Sequence, residues 1–179
     1  MDHVPTPEDF MREALKEAEA ARRTGEVPIG AVVVRGSDIV GRGHNRRETG
    51  KDALAHAELE AIHDACKTLG GWRLWQCDLY VTLEPCPMCA GAIINSRIQT
   101  VYYGAKDPKA GSCGSVVNLF ELPYNHKPTL VPGILEPECS EILSVFFRHR
   151  TFSSRISVTL SFCSPFCRAP QGTASTESL

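Results

Sequence analysis

The stretch LYVTLEPCPMCAGAIIN, residues 79–95, decides the fold because it joins a buried strand to a helix across two cysteines. Leu79–Leu83 is a short apolar run that predicts a strand, and Pro85 is expected to open a helix over Cys86–Asn95. Cys86 and Cys89 would then share one face of that helix, in its first turn. A C-x-x-C pair alone fits a redox pair, half of a structural zinc site or a catalytic metal site, so other residues have to decide between them.

Outward from this stretch, the chain alternates between strand-like and helix-like segments. Further strands are predicted at Ile29–Val34, Ile39–Gly43, Ile98–Tyr103 and Leu130–Val131, and further helices from Thr6 to Gly25, from about His56 to Leu69, and from Glu136 to about Arg150. Strands separated by helices in this order indicate an α/β fold. We expect a three-layer α/β/α sandwich around a central mixed five-stranded sheet.

Length and composition bound the domain organisation and the partners. The 179 residues are 42% hydrophobic, which suits one globular domain at residues 1–150, followed by a Ser/Thr-rich tail at 151–179 that is a candidate for disorder. The formal net charge of -2 argues against binding nucleic acid through charge alone, so such binding needs a local basic surface. The acidic N-terminus does not predict a signal peptide, and no apolar run predicts a membrane span, so we expect a cytoplasmic protein.

A second motif limits what the two cysteines can do. His56-Ala57-Glu58 stands at the start of a predicted helix, where Glu58 could serve only to balance the helix dipole. Together with P-C-x-x-C downstream, however, this H-x-E pattern is typical of zinc-dependent nucleobase deaminases. A thioredoxin-like pair would not need the histidine and glutamate, and a structural zinc site would need a fourth protein ligand.

The combined pattern therefore predicts a catalytic zinc site with one ion per subunit and no organic cofactor. His56, Cys86 and Cys89 supply three ligands and leave the fourth position for a water molecule. Zinc lowers the pKa of that water, and Glu58 is expected to carry protons between the water and the base rather than to bind the metal.

Seven segments, two of which contain the zinc motif, resemble the bacterial tRNA-specific adenosine deaminases, a family of the cytidine and deoxycytidylate deaminase superfamily. The resemblance extends from about Phe10 to Arg150 and is carried by EVPIGAV (26–32), GHNR (43–46), AHAE (55–58), TLEPCPMCAGA (82–92), GAKDPKAG (104–111), GSVVNL (114–119) and FFR (146–148). It implies a cytidine deaminase-like fold, a homodimer, and hydrolysis of adenosine to inosine at the wobble position of a tRNA anticodon loop.

The resemblance also implies substrate contacts. By position, Asn45 is the residue that binds the base, with Pro28, Ile29 and Ala57 beside it; its alternative role is to end the second strand. Contacts to neighbouring nucleotides are implied for Asp107, Lys109, Phe147, Arg148 and Arg150, although Phe147 could instead be core and the arginines a solvated helix end.

Two other functions stay open at this point. One is a guanine or cytosine deaminase acting on a free base, because the zinc motif is shared with those enzymes. The other is a non-catalytic subunit that only binds RNA, against which the retention of Glu58 argues.

Overall fold

The computed structural model describes the backbone of residues 4–159 and the side chains of residues 4–150. Within that range the helices are α1 (Pro7–Arg23), α2 (Ala57–Leu69), α3 (Pro87–Ser96) and α4 (Glu136–Thr159), and the strands are β1 (Gly30–Arg35), β2 (Asp38–His44), β3 (Asp78–Leu83), β4 (Thr100–Ala105) and β5 (Thr129–Pro132). All five predicted strands are present, displaced by at most two residues from their predicted ends.

The strands form one mixed sheet in the order β2-β1-β3-β4-β5. β1 pairs antiparallel with both β2 and β3, whereas β3–β4 and β4–β5 are parallel pairs. The predicted mixed five-stranded sheet is therefore confirmed. The parallel pair places the carboxyl ends of β3 and β4 at the same edge of the sheet, and the chain continues from there to Cys86 and to Asp107.

Both faces of the sheet are covered by helices, as expected for three layers. One apolar core joins α2 and α3 to the sheet and includes Ala61, Ile93, Val81 and Val101. A second core on the opposite face joins α1 and the beginning of α4 to the sheet. Alternate residues of a strand point to opposite faces, so β1 contributes Val33 to the first core and its neighbours to the second.

Two glycines of β2 let α2 lie directly against the sheet. A Cβ atom added at Gly41 would be 2.3 Å from the carbonyl oxygen of Ala61, and one added at Gly43 would be 2.3 Å from that of Ala57. Both distances are far below van der Waals contact. The absence of side chains at these positions sets the depth at which the first turn of α2 lies over the sheet.

The last helix is longer than the sequence indicated. α4 continues to Thr159, so its predicted end near Arg150 is wrong. The segment TFSSRISVT contains neither proline nor glycine, and a helix that has formed adds one hydrogen bond for each further residue.

The chain divides between Phe147 and Arg148 into two compact units. Most of the predicted tail, 160–179, lies outside the described residues, and its role stays a prediction. No helix in the described part of the chain is both long and apolar enough to cross a membrane.

Candidate active site

The structure brings His56, Cys86 and Cys89 together, as the sequence predicted. One ligand atom from each lies within 4.8 Å of the others, and this is the one such group of potential metal ligands found among the described residues. The imidazole Nδ1 of His56 is 3.7 Å from Sγ of Cys86 and 3.6 Å from Sγ of Cys89. Two segments thirty residues apart in the sequence thus converge on a volume the size of one ion.

Two of the three residues are helix N-caps, which corrects the predicted helix starts. His56 immediately precedes α2, and Cys86 immediately precedes α3, whose first residue is Pro87. Proline is favoured at the first helical position and keeps the residue before it extended, so the helix starts after Cys86 rather than at it. Neither residue makes a capping hydrogen bond with its side chain.

The β2–α2 loop folds back on itself and carries His56 to the end of the sheet. The backbone N–H of Asn45 donates to the carbonyl of Ile29 at 3.0 Å, and that of Arg46 donates to the carbonyl of Ala55 at 3.0 Å. The first bond joins the start of the loop to the residue before β1, and the second ties the two ends of the loop together. Asn45 and His56 consequently line the same cavity, although eleven positions separate them in the sequence.

The electrostatics of the ligand group favour a thiolate. The hydrogen bond from the Cys89 thiol, together with contacts to His56, lowers the pKa of Cys86 to about 4. The pKa of Cys89 is raised, because it shares that hydrogen bond as the donor and because it is buried. The hydrogen bond to Cys86 raises the pKa of His56.

Glu58, the second residue of α2, lies beside this group and is only 4% exposed. Burial, together with the negative charge of Cys86, raises the pKa of its carboxyl to about 7. A carboxyl with a pKa near neutrality can both accept and release a proton under physiological conditions.

A cavity of about 230 Å³ opens over these residues. Of the predicted site residues, six line it: Ile29, Asn45, His56, Glu58, Cys86 and Asp107. Buried Pro28 and Ala57 are adjacent in sequence to lining residues but do not themselves line it. Lys109 is exposed on the loop that follows Asp107.

Three residues of α4 were predicted to contact RNA. Phe147, the one that belongs to the first unit, does not line this cavity. Phe147 is 52% exposed, so the alternative of a core position is wrong, whereas its neighbour Phe146 is buried and meets it edge-on at 5.4 Å. Arg148 and Arg150 belong to the second unit. Their predicted contacts with RNA remain predictions.

Asn45 is held by a residue that the sequence analysis missed. Its Nδ2 donates to Oε2 of Glu26 at 3.4 Å and to the carbonyl of Val27 at 3.3 Å. Glu26 is fully buried and also accepts the backbone N–H of Thr49 at 2.6 Å. Burial alone would raise the pKa of Glu26, but hydrogen bonds from Thr49 and from the backbone of Glu48, together with the nearby Arg47, hold it below its ordinary value.

Glu84 is the second missed residue that lines the cavity, and it too is buried. Burial acts to raise its pKa, but hydrogen bonds from Ser115 and from the backbone of Asp107 and Cys113 outweigh burial and lower it. In the sequence, the one feature that could have indicated the burial of Glu26 and Glu84 was the position of each carboxylate inside an otherwise apolar segment. A charge is buried only where the fold supplies partners for it.

Comparison with known proteins agrees with this geometry. The MafB19-like deaminase family matches residues 6–151. A tRNA-specific adenosine deaminase from Bacillus subtilis is 54% identical over 140 residues, covering 78% of this chain and 87% of the relative.

Two solved structures are also similar. One, from a study of A-to-I editing by tRNA:A34 deaminases at the wobble position, shares 49% identity with a TM-score of 0.73, over 75% of this chain and 98% of the other. A guanine deaminase from Bacillus subtilis is more distant, with 34% identity and a TM-score of 0.55 over 84% of this chain and 95% of the other. The sandwich is thus the cytidine deaminase-like fold, and the chain belongs to the family of tRNA-specific adenosine deaminases.

Proposed function

We propose that this protein hydrolyses adenosine to inosine at the wobble position of a tRNA anticodon loop and releases ammonia. It is thus a hydrolase that cleaves the exocyclic C–N bond of a cyclic amidine. The observation that carries the proposal is the convergence of His56, Cys86 and Cys89 beside the buried Glu58, at a cavity in a chain of this family. The runner-up, a guanine or cytosine deaminase for free bases, is supported only by the lower similarity to the guanine deaminase.

The resident metal we propose is one Zn²⁺ per chain. Two thiols and an imidazole form a donor set that zinc prefers, and three protein ligands are typical of catalytic zinc. Bond lengths of about 2.3 Å to sulfur and 2.0–2.1 Å to nitrogen at tetrahedral angles place S and N about 3.6 Å apart. The distances of 3.6 and 3.7 Å from Nδ1 of His56 to the two sulfurs fit that value. When bound, zinc activates a water molecule for attack on the purine.

Glu58 carries the protons of the reaction. Its buried carboxyl, with a pKa of about 7, takes a proton from the attacking water and delivers it to the ring nitrogen beside the attacked carbon. The same group then assists the departure of ammonia. Position two of α2 holds the carboxylate next to the ligand group without making it a ligand.

Asn45 orients the nucleoside through its amide oxygen. Its amide N–H groups are directed to Glu26 and Val27, which leaves Oδ1 on the other side of the amide. This oxygen accepts no hydrogen bond from the described residues and is available to a donor on the substrate. Ile29 also lines the cavity, and Pro28 and Ala57 are buried next to lining residues in the sequence.

Nucleotides beside the target are held outside the metal group. Asp107 lies at the cavity, Lys109 is exposed on the same loop, and Phe147 offers an exposed ring for stacking. Arg148 and Arg150 add positive charge on α4, which supports binding to phosphates. We further propose that the protein is a homodimer, which light scattering after gel filtration tests, and that it acts on its tRNA in the cytoplasm.

A substrate comparison tests the proposal. The purified protein is incubated with an anticodon stem-loop carrying a wobble adenosine, and separately with free adenosine, guanine and cytosine, with Glu58→Ala as the inactive control. We expect inosine from the stem-loop and little product from free adenosine, because remote contacts supply binding energy used in the transition state. Turnover of guanine or cytosine without inosine from the stem-loop would establish the runner-up instead.

A further inference from the structure

Glu84 is a buried carboxylate that stands two residues before the proposed ligand Cys86, where the chain leaves β3. It is 2% exposed and lines the cavity, yet the chemistry proposed above gives it no part. A carboxylate buried at this position requires hydrogen-bond donors, and their source shows what it organises.

Among the described residues, the four hydrogen-bond donors to Glu84 all come from one loop, 107–115. Glu84 Oε2 accepts the backbone N–H of Asp107 at 3.1 Å and the hydroxyl of Ser115. Glu84 Oε1 accepts the backbone N–H groups of Cys113 and Ser115, each at 3.0 Å. One carboxylate therefore binds both the beginning and the end of the loop.

The loop backbone is packed tightly against this carboxylate. A Cβ atom added at Gly111 would be 2.4 Å from Cδ of Glu84 and 2.5 Å from the carbonyl oxygen of Asp107, so no side chain fits there without displacing one of them. The neighbouring backbone bond from Ser112 N–H to the carbonyl of Pro85, at 2.8 Å, holds the loop to the same segment.

The first part of the loop lies at the cavity, which Asp107 and Ala110 line. The Asp107 side chain lines the cavity, and its Oδ1 accepts the backbone N–H groups of Lys109 at 2.9 Å and Ala110 at 3.2 Å. The hydrogen bond from Asp107 to Glu84 thus helps to fix this turn relative to Cys86.

We propose that Glu84 is a positioning residue that sets the 107–115 loop against the metal-ligand segment, so that the loop holds the nucleotides flanking the target adenosine. Discrimination between a full anticodon loop and a truncated substrate then depends on a residue that does not itself contact those nucleotides. This inference rests on the proposed function and specifies how that function selects RNA.

The test compares two RNAs on three variants. The first RNA is an anticodon stem-loop with one wobble adenosine, and the second is the same molecule with abasic sites on both sides of that adenosine. Glu84→Gln places an amide N–H₂ against backbone donors, Ser115→Ala removes one donor from the carboxylate, and Gly111→Ala displaces it. Gly71→Ala is the matched glycine control, since a Cβ there meets nothing within 4 Å.

For the parent protein, we expect kcat/KM to be about tenfold or more higher on the intact loop than on the abasic loop. In the three variants this ratio falls toward one. The reason is that kcat/KM on the intact RNA falls, whereas kcat/KM on the abasic RNA stays at its parental value. Gly71→Ala retains the parental ratio. Metal content is measured for each protein, and Ser115→Ala and Gly111→Ala serve if Glu84→Gln does not fold.

A role confined to folding or metal retention lowers the rates on both RNAs equally and leaves the ratio unchanged, and that result overturns the inference. A parental ratio of one also overturns it. If the parent protein forms no inosine from either RNA, the proposed function fails together with the inference, whereas parental activity with unaltered ratios in the variants refutes the inference alone.

Discussion

The close approach of α2 to Gly43 predicts that a side chain at this position lowers the catalytic rate. In Gly43→Ala the new methyl would lie 2.3 Å from the carbonyl oxygen of Ala57 and 2.4 Å from the backbone nitrogen of Ala61. These are backbone atoms of the helix and cannot rotate away as a side chain does. The first turn of α2, which carries Glu58 and follows His56, has to move outward.

The size of the movement follows from the contact distance. Carbon and oxygen in ordinary contact are at least about 3.4 Å apart, so the helix backbone must withdraw by about 1 Å. Overpacking of this kind costs about 1–3 kcal/mol, which corresponds to a melting temperature lower by about 2–12 °C in a chain of this length. A 1 Å displacement of reacting groups can reduce the rate about 10²-fold.

Gly41→Ala separates the catalytic effect from the loss of stability. Its methyl would lie equally close to the helix, 2.3 Å from the carbonyl oxygen of Ala61, but one turn further from the site. We expect both variants to lose similar stability in calorimetry. At a temperature where both remain folded, we expect only Gly43→Ala to lose kcat on the stem-loop by about 10²-fold.

The measurement uses kcat per folded, metal-loaded molecule, so partial unfolding does not imitate the effect. Full kcat in Gly43→Ala despite a lowered melting temperature would show that the first turn of α2 need not be held by β2. Equal losses of kcat in the two variants would show that the effect is general to the helix.

Three further predictions concern the site itself. Cys86→Ala should lose bound zinc in elemental analysis, while Cys66→Ala, at a free cysteine outside the ligand group, should keep it; equal zinc in both would remove Cys86 from the site. Glu58→Ala should lower kcat by about 10²–10⁴-fold with zinc and RNA still bound, because it removes the proton carrier alone; a near-parental rate would assign that task elsewhere. Lys109→Glu should weaken stem-loop binding and reduce the slope of log K against log salt by about 0.7 for each lost contact; an unchanged slope would exclude a phosphate contact.

The sequence alone determined the identity of the proposed ligands. Thiols and imidazoles bind zinc because of their own chemistry, and the spacing of Cys86 and Cys89 keeps them on one turn whatever surrounds them. Short apolar runs and helical periodicity likewise predicted the five strands and the three layers, since both patterns are local properties of each segment. The starts of α2 and α3 were each misplaced by one residue, and in α3 this is because Pro85 and Pro87 compete to begin the helix.

Tertiary structure decided what those local patterns could not. Glu26 and Glu84 look like surface residues in the sequence, and only contacts with Thr49 and with the 107–115 loop make it favourable to bury their charges. The pKa of Glu58 near 7 likewise comes mainly from the burial of its carboxyl in the folded protein. Burial and hydrogen-bond partners depend on residues distant in the chain, so the chemistry of these carboxylates emerges only when the sheet brings those segments together.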